Sequence, residues 1–209
     1  MHKTILHVSK YYHPYIGGIE TLVKSMTEGL TEYRNIVICF ATDGKDAVDI
    51  INGVKVYRVK VNFSMMSQDV ALGYYGTLKK LMAEYEPQYV HVHCPDPYVY
   101  PLVLKAIHPE TKLILHWHSD ILSKGIVYKL IKPFENAILK RADLIITTSP
   151  NYIHPSSPIY QYKAKTNVVQ SGIVLDNFNL KDGDEKRIAE IKEQYGNKPI
   201  VFLFGRHIP

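Results

Sequence analysis

Short continuous apolar runs alternate with longer segments of helical periodicity along almost the whole chain. The first run, Ile5-Leu6-His7-Val8, ends in a loop closed by Gly17-Gly18, and an amphipathic segment follows at once. Leu22, Val23, Met26 and Leu30 recur there at helical spacing, which predicts a helix over 18–33. Residues 35–42 (NIVICFAT) read as a strand buried on both faces. Two β-rich runs at 48–51 and 54–59 flank Asn52-Gly53, a dipeptide that predicts a tight hairpin. Then come a helix over 67–86 stopped by Pro87, a strand over 88–94, and a loop and helix from Asp96-Pro97 to about 107. A strand over 112–118, a helix over 126–140, a strand over 143–148, a helix start at Ser149-Pro150 and a strand over 166–170 complete the alternation. Pro133 is expected to break the 126–140 helix in two.

This order predicts the α/β class, with a doubly wound, mostly parallel, Rossmann-like sheet whose ligands bind outside the carboxyl ends of its strands. The pattern changes near residue 180. A charged helix-compatible segment (KDGDEKRIAEIKEQYGN) precedes a new buried run at 199–205 (PIVFLFG). A strand without a sheet of its own reads as the opening of a second domain. The expected division is therefore 1–180 as one domain, with 181–209 as linker and first strand of a truncated second one.

Composition excludes more than it identifies. With 209 residues, 46% hydrophobic and 22% charged, the chain suits a globular core. No apolar run reaches the length of a spanning helix. Met1 leads directly into a strand without the features of a secretory signal, and Cys39 and Cys94 lie in apolar runs and make no disulfide framework. A cytoplasmic location is the expectation. The net charge of +5 suits an anionic partner, but no nucleic-acid module is recognisable, so nucleic acid is not an expected one.

Four features carry candidate chemistry. Gly17-Gly18 between strand and helix lacks the spacing of a dinucleotide or Walker motif; it permits a tight turn, or lets a phosphate or sugar approach bare backbone at a helix start. His91 with His93, and His116 with His118, share faces of their strands. Two such pairs could ligate zinc, but no acidic or water-activating partner stands at diagnostic spacing, and no metal site is expected. The preferred reading packs His91 and His116 into the sheet and places His118 at its strand's end beside Ser119-Asp120, where an imidazole can donate to a substrate hydroxyl or phosphate. Arg206, after Phe204-Gly205, is a strand-end guanidinium suited to a diphosphate. Finally, Lys124, Lys129, Lys132, Lys140 and Arg141 punctuate an apolar helical stretch containing one acid, Glu135. Burial of one face with lysines in water is the preferred reading of that helix; a resting place on an anionic membrane is the alternative.

Six segments together resemble the N-terminal domain of the retaining GT-B glycosyltransferases of family 4. They are the stretch from Leu6 through Tyr11-Tyr12-His13-Pro14 to Glu20; His91-Val92-His93-Cys94-Pro95-Asp96-Pro97; His116-Trp117-His118-Ser119-Asp120; Ala142-Asp143 through Ser149-Pro150; Gln170-Ser171-Gly172-Ile173 through Phe178; and Phe204-Gly205-Arg206. The resemblance covers essentially the full chain and departs from the family at Ser171-Gly172-Ile173-Val174, where Asn-Gly-Ile-Asp is usual.

It implies an acceptor-side domain facing a second, donor-binding domain across a cleft. Gly17 and Gly18 would line that cleft, His118 would contact the transferred sugar, and Arg206 the donor pyrophosphate, with Asp96, Ser119 and Asp120 in the same wall. The implied reaction moves a sugar from a nucleotide-diphosphate donor to a saccharide or lipid-linked acceptor with retention, in cell-surface polysaccharide or glycolipid synthesis. No metal or other cofactor is implied, and an isolated acceptor-side half would be inactive. A sugar-nucleotide epimerase of the same fold, using Asp96 and Asp120, and a non-catalytic module for sugar or anionic lipid are the competing readings.

Overall fold

The computed structural model of the chain describes residues 2–65, 68–121, 125–173, 175–196 and 198–202. It divides into two compact units, Met1–Ser171 and Gly172–Pro209. The first unit runs, in chain order, β1 (Thr4–Val8), α1 (Gly18–Gly29), β2 (Arg34–Ala41), β3 (Ala47–Ile51), β4 (Val54–Lys60), β5 (Phe63–Met65), β6 (Gln68–Val70), α2 (Tyr74–Tyr85), β7 (Tyr89–Cys94), α3 (Val99–Ala106), β8 (Lys112–Trp117), α4 (Ile126–Arg141), β9 (Leu144–Thr147) and β10 (Thr166–Val168). Among the described residues, eight strands form one sheet in the order β10-β9-β8-β7-β1-β2-β4-β3, and β5 pairs with β6 apart from it. Every pairing in the large sheet is parallel except that of β3 with β4 at one edge. The order of connection reverses between β1 and β7, so the crevice of this doubly wound sheet opens at their carboxyl ends.

The two faces of the sheet are buried differently. Leu6 and Val8 of β1, Val90, Val92 and Cys94 of β7, and Leu113, Leu115 and Trp117 of β8 belong to the main core, with Leu78 and Leu81 of α2, Val103 of α3 and Leu139 of α4. Each such side chain contributes about 1.5–3 kcal/mol by leaving water, which explains why these strands read as apolar runs. On the opposite face a smaller core joins Tyr12, Val23 of α1, Val37 and Cys39 of β2 and Val54 and Val56 of β4. Across β1, β7 and β8 that second face is lined by histidines instead: His7 is aligned with His91, and His93 with His116.

Asn52 and Gly53 both take positive φ (49° and 84°), the turn required by a tight hairpin, and β3 and β4 pair as the sequence predicts. Three expectations need correction. The helix predicted over 67–86 begins only at Tyr74, because 68–70 pairs with 63–65 and Gly73 stands at the helix start. Asp69 holds that small hairpin, accepting from Ser64 Oγ and from the Tyr11 hydroxyl. Helix α1 stops at Gly29 rather than 33: the Asn35 side-chain amide donates to the carbonyls of Thr27, Leu30 and Tyr33 at its end, and the Leu30 carbonyl also accepts from the Tyr33 N–H. Pro133 does not break α4, which runs through it; the proline is on the exposed side, where a carbonyl that loses its N–H partner meets water.

The second unit contains a 3-10 turn (Leu175–Phe178) and helix α5 (Asp184–Gln194). Gly183 at φ 91° leads into α5, and Asp184 and Glu185 place carboxylates on its positive end. The strand expected over 199–205 is not formed by its described part, 199–202. A strand exists through its ladder, and no described residue of this unit is in extended pairing with it. Arg206 lies outside the described residues.

Candidate functional site

The site is assembled at the carboxyl ends of β1, β7 and β8. β1 delivers the loop that ends at Gly17, the residue preceding α1, whose φ of −163° is ordinary extended backbone. A Cβ on Gly17 would meet the carboxylate end of the flexible Glu20 side chain, which folds back over it, whereas a Cβ on Gly18 would meet nothing within 4 Å. The positive end of α1 thus already faces one acidic side chain of its own.

β7 delivers Asp96 through the cis Cys94–Pro95 bond. Asp96 is buried. Its Oδ1 accepts a hydrogen bond from Gln68 Nε2 (2.9 Å), and its Oδ2 has no partner among the described residues. Burial pushes this carboxyl up to about 7, against the weaker pull of the Gln68 hydrogen bond and Lys10. It therefore reaches toward β6 and the interior rather than into open cleft.

β8 delivers His118, whose backbone N–H donates to the Cys94 carbonyl (3.0 Å). Asp120 turns away from it: Oδ1 accepts from Trp117 Nε1 (2.7 Å) and Ser157 Oγ (3.2 Å), and His154 stands 3.9 Å from Oδ2. Ser119 is half-buried between them. Gly17 and Gly18 follow β1, and His118 and Ser119 follow β8, on either side of β7, while Asp96 and Asp120 are engaged in holding the loops that carry them.

Sequence alone does not bring His7 into the site, yet it stands at one end of a cluster of five adjacent imidazoles centred on His93. His7 Nε2 lies 3.1 Å from Asn35 Oδ1, His7 Nδ1 3.5 Å from His93 Nε2, and His93 Nδ1 3.2 Å from His118 Nε2. His116 stacks on His118 with ring centres 4.3 Å apart and planes 14° from parallel, and on the other side faces His91 at 5.5 Å and 8°. Burial holds these rings neutral: His7 and His116 are pushed down to about 4 and His118 to about 3, with His91 and His93 also well below the ordinary value. His91 Nε2 and both nitrogens of His116 are buried without a hydrogen-bond partner among the described residues. His91 and His116 are packed in the sheet, as expected. The signal for His7 was its place in an otherwise apolar strand; only the topology, which sets β1 beside β7, gives it meaning.

These rings include two sets, His7 with His91 and His93, and His93 with His116 and His118, whose donor atoms lie within 4.8 Å of one another. Ring geometry argues against a shared ion. His93 and His118 meet edge to edge in nearly one plane, with centres 5.5 Å apart and planes 12° from parallel. Lone pairs aimed at each other across an ion need about 4 Å between nitrogens, more than the 3.2 Å found. The stacked lone pairs of His116 and His118 run side by side and do not converge.

Residues 16–177 match the sequence profile of Glycosyltransferase Family 4. The chain belongs to that family. Two curated relatives agree: O-antigen chain mannosyltransferase C of Escherichia coli is 28% identical over 203 residues, covering 95% of this chain and 53% of the relative. D-rhamnosyltransferase WbpZ of Pseudomonas aeruginosa is 30% identical over 203 residues, covering 96% of this chain and 51% of the relative. This family 4 chain thus spans about half the length of the curated relatives it matches. Among solved structures, Anabaena HepE in complex with UDP superposes with a TM-score of 0.55 at 17% identity, over 92% of this chain and 50% of that one. A sucrose-phosphate synthase segment from Thermosynechococcus elongatus superposes with a TM-score of 0.51 at 14% identity, over 92% of this chain and 99% of that one. The shared fold is the N-terminal, Rossmann-like domain of the GT-B arrangement.

Proposed function

We propose that this chain forms the acceptor-side wall of a glycosyltransferase that moves a sugar from a nucleotide-diphosphate donor to an acceptor hydroxyl, with retention, in the synthesis of a cell-surface polysaccharide of the O-antigen kind. The names of the mannosyl- and rhamnosyltransferase relatives support the reaction class and the polysaccharide. The structures of HepE with UDP and with UDP-glucose support a nucleotide-sugar donor. Retention rests on the family resemblance. In this reading residues 1–180 are the acceptor-side domain, and 181–209 lead into the donor-binding half, with Arg206 on the donor pyrophosphate.

One observation carries the assignment to the site. His118 is half-buried at the carboxyl end of β8, and its Nδ1 makes no hydrogen bond to any described residue. It is the imidazole of the cluster that can meet a sugar hydroxyl. Gly17 and Gly18 put no side chain of their own at the start of α1, so a donor or acceptor oxygen can reach its N–H groups when the Glu20 carboxylate swings aside, and Ser119 offers a hydroxyl beside His118. Helix N-termini and cations would stabilise the leaving diphosphate without a metal. The test is transfer by the complete protein from radiolabelled nucleotide sugars to a polysaccharide primer, with product anomeric configuration read by NMR. His118→Ala should lower kcat by roughly a hundredfold or more; full activity in that variant, or inversion at the anomeric carbon, would overturn the reading.

A peripheral contact with an anionic membrane is the second reading, and α4 favours it. Ile126 (79% exposed), Leu130 (71%) and Phe134 (47%) follow one another at four-residue spacing on its outer side, flanked by Lys129, Lys132 and Lys140. Its inner side buries Glu135, Ile138 and Leu139. A helix needs only one apolar face to pack on a sheet; a second one ringed by lysines suits acyl chains beneath anionic headgroups. A lipid-linked acceptor would then be presented close to the site.

A further inference from the structure

Hydrogen-bond donors and acceptors must alternate along a row of neutral imidazoles, so fixing one end fixes every ring. Here one end is fixed. The Asn35 side-chain N–H groups point at three carbonyls, Thr27 (3.0 Å), Leu30 (2.9 Å) and Tyr33 (3.3 Å), where α1 ends. An oxygen in that position would face three oxygens, so the amide has one orientation and its Oδ1 is the atom presented to His7 Nε2. His7 must therefore carry its proton on Nε2 and donate.

The consequence travels outward. His7 is neutral, so its Nδ1 is a bare acceptor, and His93 Nε2, 3.5 Å away, carries the proton that faces it. His93 is neutral too, so its Nδ1 is bare, and His118 Nε2 at 3.2 Å must be the donor to it. Both ring pairs have the shape this requires. Their centres are 5.8 Å and 5.5 Å apart, only a ring's width more than the nitrogens, and their planes tilt by 18° and 12°. The rings meet edge to edge, with N–H aimed at lone pair.

We propose that Asn35, His7 and His93 are positioning residues that hold His118 in the Nε2–H tautomer, leaving Nδ1 as a hydrogen-bond acceptor facing the cleft. The ligand group it selects is then a donor, a hydroxyl of the transferred sugar or of the acceptor, and not a phosphate oxygen, which has no proton to give at neutral pH. The role expected for His118 from sequence, donation to a hydroxyl or phosphate, is thereby reversed. The row is a brace and not a proton conductor: burial disfavours an imidazolium at any of its three rings. The stacked His116 limits rotation of the His118 ring from one side.

This inference rests on the proposed sugar-transfer site for its ligand but not for its tautomers, so the two fail separately. Side-chain 15N NMR of the full chain reads the protonated nitrogen of each histidine. The expected result is Nε2–H with bare Nδ1 for His7, His93 and His118 at neutral pH. Nδ1–H on His118, or an imidazolium there, overturns the relay while leaving sugar transfer intact. His93→Phe keeps a ring and removes both nitrogens; the His118 signals should then split into a tautomer mixture, and an unchanged single tautomer overturns the proposal. The wild-type spectrum needs no substitution and decides the matter even where His93→Phe does not fold. In the complete protein, His93→Phe should lower kcat/KM about tenfold, the worth of one oriented hydrogen bond. A normal tautomer pattern in a protein with no transfer activity would instead sink the function and leave the brace.

Discussion

His116 lies flat against His118, ring centres 4.3 Å apart, while neither of its own nitrogens meets a hydrogen-bond partner among the described residues. It serves the cluster by its face and burdens it by its edge. Leaving a buried polar atom unpaired costs about 1–3 kcal/mol, whereas a phenyl ring keeps the stacking surface. His116→Phe should therefore leave the melting temperature unchanged or raise it. His7→Phe should lower it, by about 1–3 kcal/mol of stability, because it strands both Asn35 Oδ1 and His93 Nε2. Calorimetry of the two variants side by side checks this; equal destabilisation would contradict it.

The cluster also sets how stability depends on pH. In the unfolded chain each histidine takes a proton near 6.5, but in the fold His7 and His116 wait until about 4 and His118 until about 3. The unfolded state then binds more protons in the interval between, so stability falls as pH drops from about 7 toward 4. At about pH 5.5 each ring accounts for roughly 1.4 kcal/mol of that loss. His91 and His93 act in the same direction. Asp96 opposes them, since its raised value lets the fold bind a proton that the unfolded chain does not; that returns roughly 2 kcal/mol over the same interval. The net expectation is a lower urea midpoint at about pH 5.5 than at about pH 7.5, with most of the difference removed when the histidines are replaced.

Asp96 supplies the opposite slope by itself. Its charge is buried, so its cost appears as pH rises through about 7. Asp96→Asn retains an oxygen for the Gln68 amide, 2.9 Å away, and removes the charge. Stability should rise by about 1–3 kcal/mol near pH 8 and change little near pH 5, in urea titrations of the two proteins at each pH. Destabilisation at both pH values would show that the carboxyl makes an indispensable contact.

Gly17 and Gly18 separate space from flexibility. Gly18 opens α1 with no atom within 4 Å of the place an alanine methyl would take, so Gly18→Ala should stabilise by about 0.5–1 kcal/mol through the unfolded state. Gly17→Ala must expel the Glu20 carboxylate from the helix start. Its effect on stability should be smaller than about 1 kcal/mol, because a flexible side chain can move aside. The difference should appear in substrate affinity of the complete protein: KM altered by Gly17→Ala, which changes what faces the cleft, far more than any change in melting temperature.

How much of the fold and site is legible in the sequence depends on how local each cause is. The buried strands announce themselves because residues such as Val90, Val92, Leu113 and Leu115 are apolar for the same reason that they are core. Asn52-Gly53 is legible because two adjacent positive φ angles leave few residue choices. The small hairpin of β5 and β6 is not, since Asp69 holds it through Tyr11, which lies far away in sequence. His118 can be placed at a strand end from its run alone. Asn35 and His7 cannot be given a role, because the three carbonyls that orient the amide and the neighbouring strand that receives the imidazole are brought together only by the fold.

Helix α4 offers the last test, and it turns on two faces of one helix. Ile138 and Leu139 are fully buried, so replacing them would report on folding. Leu130 (71%) and Lys129 beside it are exposed. Leu130→Gln and Lys129→Gln should leave the melting temperature within about 0.5 kcal/mol of stability. Each should weaken sedimentation with phosphatidylglycerol vesicles: the first by removing apolar contact, the second by about 1 kcal/mol of attraction to anionic headgroups. Only the lysine variant should converge with wild type when salt is raised, because electrostatic attraction is screened and apolar burial is not. Vesicle binding that ignores both substitutions would leave α4 as a helix whose lysines simply face water.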